Sequence, residues 1–137
     1  MNKRTITYIG VGLAALVVVV LLIVFLNRLR PKKSIVDDLV VDNSKLTYTD
    51  TEYRLMSNQL YTAMKGAGTD TAAILRVCQK LQNVDDWNAV VKAFGTKSSS
   101  NWIYKFSGTL YDWLQDELSE REMRKLNEIL NKIGVTI

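Results

Sequence analysis

Residues 64–70 read MKGAGTD, and this stretch decides how the chain after residue 48 is expected to fold. Gly66 and Gly68 permit backbone conformations that other residues disfavour, so the stretch is typical of a tight turn. Apolar residues at helical spacing precede it and follow it. We therefore predict two helices joined at this turn, over about residues 50–65 and 70–81, with Thr69 as the N-cap of the second.

Three further helical patterns follow, over about residues 85–94, residues 109–118 and the stretch between Ser119 and Gly134. Ser119 and Glu122 have the spacing of a capping box, and a polar and aromatic insertion at 96–107 separates the third helix from the fourth. Five short helices in this length predict a compact all-α domain with one core. The residues predicted to face inward in the first helix are Leu55, Met56, Leu60, Tyr61 and Met64.

Several other residues are predicted to lie in or near this core. Cys78, Trp87 and Trp113 are expected to be buried, and Cys78 to be an inert thiol. The aromatic residues Trp102, Tyr104 and Phe106 of the insertion are expected to pack under the loop or, alternatively, to form a patch that contacts a partner or lipid.

The turn and its helices resemble an annexin repeat, in which a helix ending in A-M-K-G is followed by x-G-T-D and an apolar helix. The resemblance covers roughly residues 51–135, and the stretch LYDWLQDELS at 110–119 is similar to the family's fourth helix. It implies the five-helix annexin-like fold. A single repeat behind an apolar anchor looks more like the annexin-like modules of bacterial or phage proteins than a eukaryotic annexin with four repeats.

The resemblance also implies a Ca²⁺ site, and exposed carbonyls on a glycine-hinged loop suit this hard cation. Carried over by position, its ligands are the carbonyls of Met64, Gly66 and Gly68 and the carboxylate of Glu117, with Asp116 as the alternative. The insertion at 96–107 makes the distance in sequence from the loop to Glu117 longer than in the family. A second interpretation is that the loop serves only to fold the helix pair.

Residues 6–26, ITYIGVGLAALVVVVLLIVFL, carry no charge. A helix of this length is about 31 Å long, close to the hydrocarbon thickness of a bilayer, which predicts a single transmembrane helix. A cleaved secretory signal is the alternative, but the run is long for one and lacks a small-residue cleavage site. Basic residues on both sides leave the orientation open, and the denser group after the span favours a cytoplasmic carboxyl-terminal domain.

The predicted organisation is thus a membrane anchor at 1–33, a linker at 34–48 and a helical domain at 49–137. The net charge of +4 hides an asymmetry, because six of the eighteen basic residues flank the span. Twelve basic residues against fourteen acidic ones leave residues 34–137 with a net charge of −2. No basic footprint for nucleic acid remains in this part of the chain.

The composition argues against an enzyme. The chain has no histidine, which removes the commonest general base and the commonest transition-metal ligand, and its single cysteine excludes an internal disulfide. Phosphate-cradling glycine motifs are also missing from the sequence.

Two functions remain open from the sequence. The first is a membrane-anchored binding module for Ca²⁺, anionic phospholipid headgroups or a membrane protein partner. The alternative is a structural protein of an envelope or phage virion that self-associates without calcium. Gly10 and Ala14 lie four residues apart in the span, a spacing that lets two transmembrane helices approach closely.

Overall fold

The computed structural model describes residues 17–23, 35–99 and 105–137. The chain divides into two units, residues 1–33 and residues 34–137. In the first unit, residues 17–23 are helical and their valine, leucine and isoleucine side chains are exposed. The rest of the predicted span, its basic flanks, Gly10 and Ala14 lie outside the described residues. Among the residues that are described, no helix is long and apolar enough to cross a membrane.

The second unit is all-α apart from one short β-ladder. Its described part contains five α-helices: α1 (Asp50–Met64), α2 (Thr71–Cys78), α3 (Val84–Phe94), α4 (Leu110–Glu117) and α5 (Glu120–Leu130). Short 3₁₀ helices lie at Ile35–Asp38, Asn43–Lys45 and Asn131–Ile133. The prediction of an all-α domain is therefore confirmed.

Polar residues at the helix starts explain why the helices begin where they do. Thr49 and Glu52 form a capping box on α1, and the Asn83 side chain accepts a hydrogen bond from the backbone N–H of Asp86 in α3. The predicted capping box of α5 is present, since the Glu122 carboxylate accepts from the Ser119 N–H at 2.9 Å and from its hydroxyl at 2.6 Å.

The core lies around α1, which contacts α2, α3 and α4, while α5 packs on α2. Trp87 of α3 and Trp113 of α4 are almost completely buried, as predicted, and Cys78 is buried in the same core. Burial raises the pKa of the Cys78 thiol to about 12, so the thiol stays protonated and inert. The core contains these other large residues: Leu60, Met64, Ile74, Val90, Val91, Leu110, Leu114, Leu126 and Leu130.

Leu55 does not face the core, and its predicted inward orientation is wrong. The buried face of α1 carries Met56, Leu60 and Met64, whereas Leu55 is 55% exposed. One residue corresponds to about 100° around a helix, so a side chain directly before Met56 points well away from the core. Leu55 instead shares an exposed stripe with Gln59 and Thr62.

Residues 36–48, which we call the strap, lie on the helical unit. Val36 is buried in the core, and the strap's backbone binds side chains near the start of α3. The Asp42 N–H donates to Asp85 at 2.8 Å, and the Thr47 N–H donates to Asp86 at 2.9 Å. These bonds hold most of the segment that the sequence indicated as a linker.

The insertion between α3 and α4 forms a short antiparallel hairpin of β1 (Lys97–Ser98) and β2 (Ser107–Gly108). Gly108 lies so close to α4 that a Cβ there would be 2.5 Å from the Cβ of Asp112. Phe106 packs edge-on against Trp113 with ring centroids 5.1 Å apart, so core packing accounts for this member of the predicted aromatic patch. Trp102 and Tyr104 lie outside the described residues.

Candidate functional site

The 64–70 loop closes directly on the end of α1. The N–H of Lys65 donates to the Tyr61 carbonyl at 2.9 Å, and the N–H of Asp70 donates back to the Ala63 carbonyl at 2.9 Å. Gly68 has a φ of +89°, which favours glycine. The loop is therefore a tight, hydrogen-bonded connection in which glycine is needed at one position.

The N-cap of α2 is Asp70, and the prediction of Thr69 is wrong. The Asp70 carboxylate accepts a hydrogen bond from the N–H of Ala73 at 2.8 Å. Threonine and aspartate are both good N-caps, so the local sequence could not separate them. The Thr69 hydroxyl has a different partner, which comes from α4.

Glu117, the last residue of α4, lies beside the 64–70 loop. The Thr69 hydroxyl donates to its Oε2 at 2.5 Å, although the two residues are 48 positions apart. The structure thus brings the carboxylate chosen from the sequence into contact with the residue that follows Gly68. Asp116, the alternative, is exposed.

A second bond between a threonine and a glutamate lies close to the first. The Thr71 hydroxyl at the start of α2 donates to Oε1 of Glu122 at 2.6 Å, while Glu122 also caps α5. Hydrogen bonds from the Ser119 hydroxyl, the Thr71 hydroxyl and the Ser119 N–H lower the pKa of Glu122 to about 2. The two threonines thus join the loop and the start of α2 to α4 and α5, a link that single-sequence reasoning missed.

Of the three residues predicted to supply carbonyl ligands, Gly66 and Gly68 are exposed, whereas Met64 is completely buried, so its carbonyl is not accessible to an ion in this conformation. Within the described residues, the carbonyl oxygens of Met64, Gly66 and Gly68 accept no backbone or side-chain hydrogen bond. Within the same residues, Glu117 forms no salt bridge. Carbonyl and carboxylate oxygens are what Ca²⁺ prefers, so Gly66, Gly68 and Glu117 suit this ion chemically.

The site has little side-chain charge. In the part of the chain that the structure describes, no three histidine, cysteine, aspartate or glutamate side chains are grouped to hold a metal ion. A cation at the loop would therefore depend on backbone carbonyls, one carboxylate and water. The affinity of a Ca²⁺ site falls with the number of its charged ligands. With one carboxylate, we expect weak binding, with a Kd of about 10⁻⁴–10⁻³ M.

Comparison with known proteins gives no relative. No family model matches the chain, and no curated protein or solved structure matches it either. The annexin resemblance therefore stays a prediction from the residues of the loop and of α4.

Proposed function

We propose that this chain is a membrane-anchored, non-enzymatic binding module whose annexin-like domain binds Ca²⁺ through the 64–70 loop and Glu117. The contact between Thr69 and Glu117 carries the proposal, because the carboxylate that the resemblance implies lies beside the loop on which Gly66 and Gly68 are exposed. The order of the five helices, with the loop between α1 and α2, also supports the proposal, because it is the order that the annexin resemblance implies.

The uncharged stretch at 6–26 supports the membrane anchor. Its length suits a bilayer, and the basic residues after it favour a cytoplasmic carboxyl-terminal domain. A domain held at a bilayer would meet anionic phospholipid headgroups at high local concentration. A Ca²⁺ ion with open coordination positions could bridge the loop to a phosphate oxygen, and a membrane protein partner with an exposed carboxylate could bind in the same way.

Calorimetric titration of Ca²⁺ into the full chain, held in nanodiscs of zwitterionic lipid, tests the proposal. We expect binding with a Kd of about 10⁻⁴–10⁻³ M that is lost in Glu117→Gln. Glutamine keeps an oxygen that accepts the Thr69 hydrogen bond, so this variant removes the charge and preserves the local contact. Glu128→Gln, which neutralises an exposed glutamate of α5, is the matched control and should bind like the original protein.

Two results would contradict the calcium site. If neither the original protein nor Glu117→Gln gives a heat of binding with Ca²⁺, the loop serves only to join the helices. The alternative of a self-associating structural protein then gains support. If Glu117→Gln binds as well as the original protein, a cation binds elsewhere. Sedimentation of the same nanodisc samples against protein concentration then decides whether the chain assembles without calcium.

A further inference from the structure

A groove of about 590 Å³ runs between α1 and α2, on the side of α1 that faces away from the core. Its apolar walls are Leu55 and Ala63 from α1 and Ala73 and Val77 from α2. Within the five described helices, Leu55 and Val84 are the large apolar residues that are exposed. The groove therefore contains one of the two large side chains that the helices leave uncovered.

The free charges of the groove are positive. Arg76 and Lys80 lie four residues apart on its α2 side, and neither forms a salt bridge with any residue that the structure describes. The Asp70 carboxylate at one end of the groove is engaged, since it caps α2. An occupant that pairs with the groove must therefore be acidic.

We propose that this groove binds an acidic amphipathic helix of a partner protein. Two helices joined by a short loop pack antiparallel and leave a long furrow, into which a third helix can place apolar side chains at i, i+3, i+4 and i+7. Positions four apart on a helix lie about 6 Å apart, so carboxylates at i and i+4 of the partner match Arg76 and Lys80. Leu55, which is exposed, and Ala73, which is partly exposed, then contact its apolar stripe.

A second copy of this chain fits the groove less well. Pairing two identical grooves across a two-fold axis places the same surface on both sides, so Arg76 and Lys80 would meet a face of their own sign. The proposal does not depend on the calcium site, because Arg76 and Lys80 lie outside the 64–70 loop and the groove needs no metal. Asp70 belongs to both the loop and the groove, but its carboxylate caps α2.

The test uses two stapled peptides of about 18 residues with the same leucine stripe, one with glutamate pairs at i and i+4 and the other with lysine pairs. Binding of each labelled peptide to the full chain in zwitterionic nanodiscs is measured by fluorescence anisotropy, with empty nanodiscs subtracted. We expect the glutamate peptide to bind the original protein and the lysine peptide to bind it at least about tenfold more weakly.

Variants of the protein locate the binding. The double variant R76E/K80E should reverse the preference. Its affinity for the glutamate peptide should fall by about tenfold or more, and its affinity for the lysine peptide should rise. Leu55→Asp should weaken the binding of both peptides, because it removes the apolar contact that they share. Arg54→Glu, which reverses an exposed cation of α1 outside the groove, and Val84→Asp, which changes an exposed apolar residue of α3, should leave the preference unchanged.

Four outcomes would overturn the proposal: no binding of either peptide, equal binding of both, binding unaffected by R76E/K80E, or sedimentation showing dimers that Leu55→Asp dissociates. Dodecanoate is included as a small anionic amphiphile. If dodecanoate binds in an Arg76- and Lys80-dependent way and the glutamate peptide does not, the groove is a small-molecule site and the helix proposal is wrong.

Discussion

Gly68 is the residue of the 64–70 loop whose backbone requires glycine. Its φ of +89° lies in a region that other residues enter at a cost of about 1–2 kcal/mol, and a Cβ there would meet no atom within 4 Å. At Gly66, φ is not positive, and a Cβ would come no closer than 3.9 Å to the Gly68 carbonyl oxygen. The two glycines of the motif thus differ in what they do.

Substituting the two glycines should separate these roles. We expect Gly68→Ala to lower the free energy of unfolding by about 1–2 kcal/mol, because alanine is strained at this φ. Gly66→Ala should leave stability nearly unchanged. Urea denaturation followed by circular dichroism measures both, and equal losses at the two positions would contradict this account of the loop.

Single residues also show where local sequence ceases to be informative. The glycine turn and the carboxylate at Glu117 could be selected from the sequence through the family resemblance, and the structure brings them together. The use of Asp70 as N-cap could not be predicted, because the competing residue, Thr69, is taken by a side chain 48 positions away. The inward orientation predicted for Leu55 is wrong because its spacing fits an apolar helical stripe, whereas its side chain points away from the buried face of α1.

Among the elements, the strap depends on one buried carboxylate. Asp86 accepts hydrogen bonds from the Tyr53 hydroxyl at 2.5 Å, the Thr47 N–H at 2.9 Å and the Gln82 N–H at 2.9 Å. Burial acts to raise the pKa of Asp86, but hydrogen bonds, first from Tyr53 and then from Thr47 and Gln82, lower it overall. Burial and the bond to Asp86 raise the pKa of Tyr53 to about 12.

Removing the Tyr53 hydroxyl should loosen the strap. Tyr53→Phe takes a donor from buried Asp86 and an acceptor from the Tyr48 N–H, so we expect a loss of about 1–3 kcal/mol in the free energy of unfolding. Hydrogen exchange at the Thr47 and Tyr48 amides should accelerate more than exchange within α5.

Tyr48→Phe is the matched control for this experiment. Its hydroxyl donates to the Lys80 carbonyl at 2.7 Å in an exposed bond, and water can replace that donor. A smaller loss of stability is therefore expected. If Tyr48→Phe costs as much as Tyr53→Phe, the buried carboxylate is not what holds the strap.

The elements that were predicted well are those fixed by neighbours in sequence. All five helices follow from apolar spacing, glycine stops and caps such as Ser119 with Glu122, which act within one helical turn. The strap and the hairpin were not predicted, because they depend on bonds such as those from Asp42 to Asp85 and from Trp113 to the Lys97 carbonyl. The sequence pattern within the strap or the hairpin does not predict these hydrogen-bond partners, because they are distant in sequence.

At the scale of the whole molecule, engaged carboxylates make stability depend on pH. Hydrogen bonds lower the pKa of Glu52 and, against the effect of burial, that of Asp86, and they lower that of Glu122 from 4.5 to about 2. Because these pKa values are lower in the folded chain, the unfolded chain binds more protons than the folded one at a pH between the folded and unfolded pKa values. The resulting stabilisation is complete above the unfolded values and is lost as the pH falls through the folded ones.

We therefore expect the melting temperature to fall steadily as the pH is lowered from about 4.5 towards 2. Glu122→Gln should start with a lower melting temperature at neutral pH and decline less over this interval, because its titrating group is gone. Glu128→Gln, at an exposed position of the same helix, should decline like the original protein. Parallel declines for all three proteins, measured by circular dichroism, would exclude Glu122 as a source of the dependence.

The strap also decides where the chain can be cut. A shortened protein beginning at Thr49 would keep all five helices but would lose the amides of Asp42 and Thr47, leaving Asp85 and Asp86 without those donors. It would also uncover the part of the core that Val36 covers. A version of the helical unit alone, intended for crystallisation or spectroscopy, should therefore begin near Ser34, even though α1 begins sixteen residues later.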